Sequence, residues 1–338
     1  MPTPSPRSGR RRSRFLVGAL ALALAGSLAA CGSGTDDAAG GAGQKSSGAF
    51  PAKVATKFGS VTVPARPERV VALGWGDAET ALALGVQPVA ASDWLAFGGD
   101  GVGPWARGKY AASPRKIGTL EPEYEKIAAL KPDLILDTKS SGDQTRYDTL
   151  SKIAPTVGVP KGGDQYKISW EKQTTMVAQA LGVPGKGEKL IADTGKQFAK
   201  AAAAHPEFRD RTITVGSRTA SSWGAYVHGT GRLDFVERLG FTANPAVEKK
   251  AGSAFSVPVS EEKLQLLDAD LVVMAPIGTT AKKISADPLF ASLPAVEKGH
   301  AVVFDDKNIS SAFATDSVLS VRYALTHVVP LFAGAMKG

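Results

Sequence analysis

The chain has 338 residues, of which 40 are basic and 32 acidic, giving a formal net charge of +8. Five of the arginines and no acidic residue fall within the first 30 residues, so the rest of the chain carries only +3. The positive charge therefore gives no case for nucleic-acid binding, and the single cysteine, Cys31, excludes an internal disulfide.

The first 30 residues are typical of an export signal. A basic cluster precedes an apolar run, residues 15–30, which is shorter than the ~20 residues that a membrane-spanning helix needs. The run ends in Leu28-Ala29-Ala30-Cys31, which resembles the bacterial lipobox, in which the cysteine is lipidated and becomes the first residue of the mature chain. We therefore predict a lipoprotein signal peptide over residues 1–30 and lipidation at Cys31. The choice between Sec and twin-arginine export stays open.

Residues 31–52 are rich in glycine, alanine and serine, which predicts a flexible linker between the lipid anchor and a folded body. The body begins near Lys53. With 43% hydrophobic residues, the chain can build a large apolar core.

Short apolar strands and amphipathic helices alternate in two halves of the body. In the first half we predict strands at 69–73, 86–91 and 133–137, and helices at 78–84, capped by Asp77, and at 123–130. In the second half we predict strands at 211–216, 271–275 and 301–304, and helices at 233–239 and 260–267. This alternation predicts an α/β protein with two Rossmann-like lobes, each built on a mainly parallel sheet.

Two helices are predicted between the halves, at 169–181 and 187–204. The second would span ~27 Å at 1.5 Å per residue and would act as a rigid strut. The predicted organisation is an amino-terminal lobe at 53–168, an interlobe helical segment at 169–205 and a carboxy-terminal lobe at 206–338.

Five segments, taken in order, resemble the family of periplasmic siderophore-binding proteins. They are RPERVVALGWGDAETALALGVQPVAASDW, IGTLEPEYEKIAALKPDLIL, FVERLGF, SEEKLQLLDADLVVM and DPLFASLPAVEKGHAVVFDD. The resemblance implies a class III substrate-binding protein, with two lobes joined by a long backbone helix and the ligand in the cleft between them. It also implies the binding component of an ABC importer, whose partners are a permease and its ATPase. Together with Cys31, it predicts a monomer lipid-anchored to the outer face of the cell membrane.

Ligands of open α/β sheets bind beyond the carboxyl ends of the strands, and many rings and cations fall at such positions here. An organic iron chelate suits them, because the chelator supplies the ligands of the iron and the receptor supplies apolar walls and donors. The predicted ligand-binding residues are Trp75, Trp94, Trp105, Arg107, Tyr110, Arg115, Arg218, Trp223 and Tyr226.

The balance of rings and cations favours a ferric hydroxamate over a triply charged ferric catecholate. Haem or cobalamin remains the alternative ligand, because Tyr110, Tyr226 and His228 are possible axial ligands of haem. A bare metal ion is disfavoured, because the four histidines are scattered. No cofactor is expected.

An enzyme is disfavoured as well. The GxSxG motif is absent, the sole cysteine is assigned to the lipid, and neither 227–231 nor 182–187 completes a dinucleotide or phosphate fingerprint.

The resemblance also suggests one permease-docking glutamate in each lobe. These are Glu125, in Tyr-Glu-Lys-Ile, and Glu237, in Phe-Val-Glu-Arg-Leu-Gly. Glu121, Glu123 and Glu248 are the alternatives, being close by in sequence.

Overall fold

Two sheets and a hairpin organise the residues that the computed structural model describes, 50–118 and 120–337. The predicted signal peptide, Cys31 and the predicted linker up to residue 49 lie outside the described residues. The strands are β1 (Ala52–Thr56), β2 (Gly59–Val63), β3 (Val70–Ala72), β4 (Ala90–Ser92), β5 (Arg115–Ile117), β6 (Leu134–Leu136), β7 (Thr156–Val157), β8 (Thr212–Arg218), β9 (Trp223–Tyr226), β10 (Thr242–Ala243), β11 (Ser256–Val259), β12 (Leu271–Pro276) and β13 (Ala301–Val303). The α-helices are α1 (Asp77–Ala83), α2 (Tyr124–Ala129), α3 (Gln144–Ser151), α4 (Trp170–Ala180), α5 (Pro184–Ala204), α6 (Gly231–Arg238), α7 (Pro245–Glu248), α8 (Ala281–Ser285), α9 (Pro288–Ala291), α10 (Pro294–Glu297), α11 (Lys307–Thr315), α12 (Val318–His327) and α13 (Val329–Ala335).

The amino-terminal sheet is parallel throughout, with strand order β5-β4-β3-β6-β7. Its central strands β3 and β6 are apolar and buried along their whole length. Continuous apolar strands are expected in a parallel sheet, because helices cover both faces. The predicted strands at 69–73 and 133–137 are confirmed, each shortened to three residues, whereas the strand predicted at 86–91 begins only at Ala90.

The carboxy-terminal sheet is mixed: β10, β8, β12 and β13 pair in parallel, as predicted for this half, and β9 and β11 add antiparallel pairings. Its order is β11-β9-β8-β12-β13, with β10 beside β8. β9 runs antiparallel to both β8 and β11. The cause is a tight turn after Arg218, in which the Thr219 N–H donates to the carbonyl of Ser222 at 2.8 Å. Such a short connection leaves no length for the crossover that a parallel pair requires.

Helices α4 and α5 form the predicted interlobe segment. α5 begins at Pro184, three residues before the predicted start, because proline is well suited to the first turn of a helix. Gly187 lies inside α5, where a Cβ would come within 2.5 Å of the Cβ of Ala178 on α4. Glycine therefore allows the two helices to pack closely, and α5 extends for 21 residues. The helix predicted at 260–267 is a 3₁₀ helix, Glu261–Leu267, with a kink at Lys263.

Helix α12 returns from the carboxy-terminal half and packs on the amino-terminal half. It contacts α1, α4, α5 and the 3₁₀ helix Pro104–Ala106. Leu319 of α12 packs with Leu82 of α1 and with Ala106. The two halves are therefore joined by α12 as well as by the predicted helical segment.

Within the described residues, Val318–Ala335 is the one stretch that is long and apolar enough to span a membrane. Half of it is buried inside the protein. Val321 and Phe332 belong to the core of the carboxy-terminal half, so this stretch is a core element of the fold.

Candidate functional site

A cavity of about 660 Å³ lies between the two sheets, at the carboxyl ends of their parallel strands. The amino-terminal half contributes the residues that follow β3 and β4. The other half contributes the end of β9, the loops after β12 and β13, and the first turns of α6 and α11. The lining residues are Trp75, Trp94, Leu95, Tyr226, Arg232, Phe255, Ala275–Ala281, Phe304–Lys307, Ser310, Ser311 and Ala314. Ligands of open α/β sheets bind at this end of the strands, so the cavity is the candidate site.

Trp75 is held at the cavity by its backbone. Its N–H donates to the Lys139 carbonyl at 2.9 Å, and its carbonyl accepts from Nε2 of Gln173 at 2.8 Å. The indole stacks on that of Trp94, with centroids 4.0 Å apart and planes 6° apart. The two predicted tryptophans therefore form one ordered apolar wall.

Two rings that the sequence did not single out pack on the aromatic residues of the cavity. Tyr166 stacks on Trp75, also at 4.0 Å, and Phe255 meets the ring of Tyr226 edge-on at 5.6 Å. Both were missed because neither follows a strand: Phe255 precedes β11, and Tyr166 lies in the long loop after β7.

Arg232 is the charged group that the sequence reading missed. Its side chain is buried, and its guanidinium carbon lies 4.1 Å from the centroid of the Tyr226 ring. It makes no hydrogen bond or ion pair with another described residue. Arg232 lies in the first turn of α6, where the helix dipole disfavours a cation, and that conflict was the signal available in the sequence.

The other charged groups of the lining leave the cavity electrically balanced. Asp305, Asp306 and Lys307 are exposed at its rim, and with Arg232 they give two positive and two negative charges. Asp306 caps α11 by accepting from the backbone of Asn308 at 2.6 Å. Arg232 is therefore the buried charge that a ligand would meet.

Trp223 and Arg218 lie beside the cavity without lining it. Trp223 is 2% exposed and stacks on Phe290 in the core, which accounts for this ring as a packing residue. Arg218 lies over Trp223, at 4.8 Å from the ring centroid, and its Nη2 is 3.6 Å from a carboxylate oxygen of Glu261. The ligand contact predicted at Trp223 stays a prediction, and in this structure the ring packs against protein rather than in the cavity lining.

Trp105 and Tyr110 lie at the junction between the halves rather than at the cavity. Trp105 donates from Nε1 to the Glu79 carboxylate at 2.7 Å, and its ring lies 5.6 Å from that of Tyr323 on α12. Tyr110 packs against Leu82, and burial raises the pKa of its hydroxyl. The loop that carries both residues is used to join the halves.

Arg107 and Arg115 are exposed and lie outside the cavity lining. The docking candidates are also at the surface: Glu125 is exposed in the first turn of α2, and Glu237 is 29% exposed near the end of α6. Glu237 lies 3.0 Å from Nδ1 of His228 and raises the pKa of that imidazole.

The positions of the possible metal and haem ligands bear on these two alternative ligand classes. Residues 50–118 and 120–337 contain no cluster of three or more His, Cys, Asp or Glu side chains that could hold a metal ion. Of the three side chains considered as axial ligands of haem, only Tyr226 lines the cavity. His228 is 73% exposed, and the Tyr110 hydroxyl is buried at the junction.

Buried charges connect the two halves. Nζ of Lys139, which follows β6, donates to a carboxylate oxygen and to the carbonyl of Asp316, each at 2.9 Å. Ser317 donates to the Glu79 carboxylate, and burial raises the pKa of both Glu79 and Asp316. These contacts fix the start of α12 against the amino-terminal half.

Comparisons with known proteins agree with this architecture. A family model described as "Periplasmic binding protein" matches residues 70–308. The probable siderophore-binding lipoprotein YfiY of Bacillus subtilis is 29% identical over 265 residues, which cover 73% of this chain and 78% of the relative. The Fe(3+)-citrate-binding protein YfmC of the same organism is 30% identical over 246 residues, covering 71% and 74%.

Among solved structures, PiaA of Streptococcus pneumoniae TIGR4 in complex with ferrichrome superimposes with a TM-score of 0.73 at 26% identity. The match covers 84% of this chain and 98% of that one. The predicted fold, an α/β protein of the class III substrate-binding type, is thereby confirmed.

Proposed function

Since the chain belongs to the periplasmic binding protein family, we propose that it is the substrate-binding component of an ABC importer and captures a ferric siderophore in the cavity between its two halves. The family consists of solute-binding proteins. The names of several relatives give a ferric chelate as the ligand, such as ferric citrate for YfmC and ferrichrome for PiaA. Binding and delivery, rather than catalysis, is therefore the proposed activity.

The observation that carries this proposal is the composition of the cavity. Trp75, Trp94, Tyr226 and Phe255 supply apolar and aromatic surface, and Arg232 supplies donors that no described residue uses. A chelate that already satisfies its iron needs this combination of walls and donors from a receptor.

The charge balance favours a ferric hydroxamate over a ferric catecholate. A tris-catecholate complex carries three negative charges, and each arginine ~5 Å away contributes about 3 kcal/mol per unit charge at an effective dielectric of 20. The cavity offers one buried arginine, and its rim carries two carboxylates. A neutral trihydroxamate suits a cavity that is balanced overall, and ferrichrome, bound by PiaA, is such a ligand.

The predicted location and partners complete the proposal. Lipidation at Cys31 would anchor the protein to the outer face of the cell membrane, and the names of two relatives include the word lipoprotein. The cargo would pass to a permease and its ATPase, with Glu125 and Glu237 as docking contacts. We propose that the protein acts as a monomer and that the predicted lobe boundaries, 53–168 and 206–338, hold.

The test is quenching of tryptophan fluorescence by a panel of ferrichrome, ferrioxamine, ferric enterobactin, ferric citrate, haem and cobalamin. Trp75 and Trp94 lie in the lining, so a ferric complex bound there should quench them strongly. The neutral trihydroxamates should bind most tightly and reversibly at one per protein. Quenching by haem or cobalamin alone would overturn the proposal, and a preference for citrate or enterobactin would overturn its hydroxamate part.

A further inference from the structure

Both faces of the Trp75 indole are covered by protein rings. Trp94 and Tyr166 each lie with their centroids 4.0 Å from that of Trp75, and each is nearly parallel to it. Two rings at that distance would overlap if they lay on the same face, so they lie on opposite faces. Trp94 lines the cavity, whereas Tyr166 does not. Tyr166 therefore covers the face of Trp75 that is opposite to Trp94 and does not line the cavity itself.

A second space lies beside the segment that carries Tyr166. It is a groove of about 760 Å³, and the residues on either side of Tyr166 in the chain, Gln165 and Lys167, line it. Ser253, two residues before the cavity residue Phe255, lines it as well. Tyr166 and Phe255 meet edge to face at 6.4 Å. The Tyr166 ring thus packs on two residues of the cavity, Trp75 and Phe255, while its neighbours in the chain line the groove.

The two spaces differ in chemistry. The cavity is walled by rings, whereas the groove is lined by serine, glycine and charged side chains, including Lys57, Asp143 and Asp164. The groove would suit a hydrated polar extension of a chelate and would suit its apolar core poorly.

The position of the Tyr166 ring is imposed by an unusual backbone. Gln165 and Tyr166 are consecutive non-glycine residues in the left-handed region, with φ of 56° and 63°. Their N–H groups donate to the carbonyls of Ser141 and Ser140 at 3.1 and 2.9 Å, which fixes this conformation. Such backbone strain is concentrated at functional sites in proteins, because the surrounding structure must maintain it. Here its effect is to hold the Tyr166 ring against that of Trp75.

We propose that Tyr166 is a specificity-determining residue, whose ring closes the cavity against the groove and so limits the size of the chelate that is bound. This inference rests on the proposed function. Removing the ring would join the two spaces and admit a ligand whose polar arm extends from the cavity into the groove.

Two neutral trihydroxamates with the same chelating groups provide the test. Ferrioxamine E is a closed ring without an arm, and N-acetylated ferrioxamine B is its open analogue with a pendant arm. Dissociation constants for both are measured by tryptophan quenching with wild-type protein, Tyr166→Ala and Tyr166→Phe. Tyr147→Ala is the matched control, because Tyr147 is also half-buried and stacked, but on Phe58 rather than on the cavity residues Trp75 and Phe255.

Tyr166→Ala should shift the affinity ratio at least tenfold towards the armed ligand, whereas Tyr166→Phe and Tyr147→Ala should keep the wild-type ratio. Equal loss of affinity for both ligands would mean that Tyr166 is an ordinary contact, and an unchanged ratio would mean that it limits nothing. Either result overturns the inference.

A crystal structure of ligand-free Tyr166→Ala decides the same point without a ligand. The inference requires one continuous space that joins the cavity to the groove, and refilling of the gap by Trp75 or Phe255 would refute it. If the wild-type protein binds neither trihydroxamate, the hydroxamate proposal fails, and the crystal structure still decides the role of Tyr166.

Discussion

The guanidinium of Arg232 is buried against the ring of Tyr226 and has no anionic partner among the described residues. A buried cation is costly unless it is paired, and a stacked aromatic ring compensates only part of that cost. The oxygens of a bound chelate would supply the missing acceptors. On the proposed function, binding would therefore offset the energetic cost that Arg232 has in the free protein.

We predict that Arg232→Met weakens the binding of ferrichrome ten- to a hundredfold. Methionine keeps an unbranched apolar stem like that of arginine but loses the hydrogen bonds of a charged donor, which are worth about 1.5–3 kcal/mol. Titration by tryptophan quenching measures the effect. Arg218→Met is the control, because Arg218 lies over the buried Trp223 outside the lining and should leave affinity unchanged. Equal losses in the two variants would contradict the assignment.

Asp77 shows how tertiary contacts change the role of a residue read from sequence. The sequence predicts that it caps α1, but the structure makes it the first helical residue, preceded by Gly76. Its carboxylate instead accepts from the backbone of Thr138 at 2.9 Å and from Gln173 at 2.8 Å. Burial raises the pKa of this carboxyl by more than the hydrogen bonds lower it, and the result is a pKa of about 6.

We predict that the free energy of unfolding of Asp77→Asn rises relative to that of the wild type as the pH increases from 4 to 7. A carboxyl whose pKa is higher in the folded than in the unfolded protein contributes stability that is fully present below its unfolded pKa. That contribution is lost as the pH rises through its folded pKa. The shift from 3.8 to about 6 corresponds to roughly 3 kcal/mol. Urea unfolding at several pH values measures the difference.

Asp193→Asn is the control for that experiment. Asp193 is on α5, and its hydrogen bond with Lys189 lowers its pKa, so the difference from wild type should change in the opposite sense with pH. Parallel stability curves for wild type and Asp77→Asn between pH 4 and 7 would contradict the assigned pKa.

Among the elements, α12 depends on one residue at its start. Ser317 caps the helix by accepting from the N–H of Ser320 at 3.2 Å, and it also donates to the buried Glu79 carboxylate. The same side chain therefore begins the helix and attaches it to the amino-terminal half.

We predict that Ser317→Ala lowers the free energy of unfolding by about 2–3 kcal/mol. About 1 kcal/mol comes from the lost cap, and the remainder from leaving Glu79 with one donor fewer. Ser169→Ala is the matched control, since Ser169 caps α4 without contacting a buried acid and should cost only about 1 kcal/mol. Denaturant unfolding measures both. Equal costs would mean that the Glu79 contact contributes nothing.

The elements themselves could largely be predicted, because the apolar runs of β3, β6 and β12 and the helical spacing of α5 are local properties of the sequence. The direction of β9 could not, because it depends on one tight turn. The candidate site was predicted only in part. Trp75, Trp94 and Tyr226 follow the strand-end rule, whereas Arg232 and Phe255 are brought to the cavity, and Tyr166 to the ring of Trp75, by packing between distant segments.

At the scale of the whole molecule, the predicted lipid anchor and the ligand cavity lie in separate parts of the chain. Cys31 lies outside the described residues, and the cavity is formed by residues 75–314. We predict that Cys31→Ala moves the protein from the membrane fraction to the soluble fraction and leaves its ferrichrome affinity unchanged. Fractionation and binding of the released protein measure this. Retention in the membrane after complete signal cleavage would contradict the anchor.

Delivery to a permease requires contacts on both halves, and the proposed pair is Glu125 and Glu237. We predict that the double variant Glu125→Ala/Glu237→Ala binds ferrichrome normally but supports less iron uptake by cells. Both side chains lie outside the cavity lining, so binding should not change. Because Glu237 contacts His228, a His228→Ala variant controls for loss of that local contact. Uptake at the wild-type level in the double variant would mean that both glutamates are ordinary surface charges and do not contact the permease.

The return of α12 to the amino-terminal half has a consequence for biosynthesis. Leu319 and Tyr323 cover α1 and Trp105, yet they follow almost all of the second half in the chain. Leu82 of α1 and Trp105 therefore stay without this cover until the second half has been made, although amino-terminal domains usually fold first during synthesis. For a chain with the predicted export signal, this order would keep that part of the first half loose for longer, and so would extend the time in which a membrane channel can thread it.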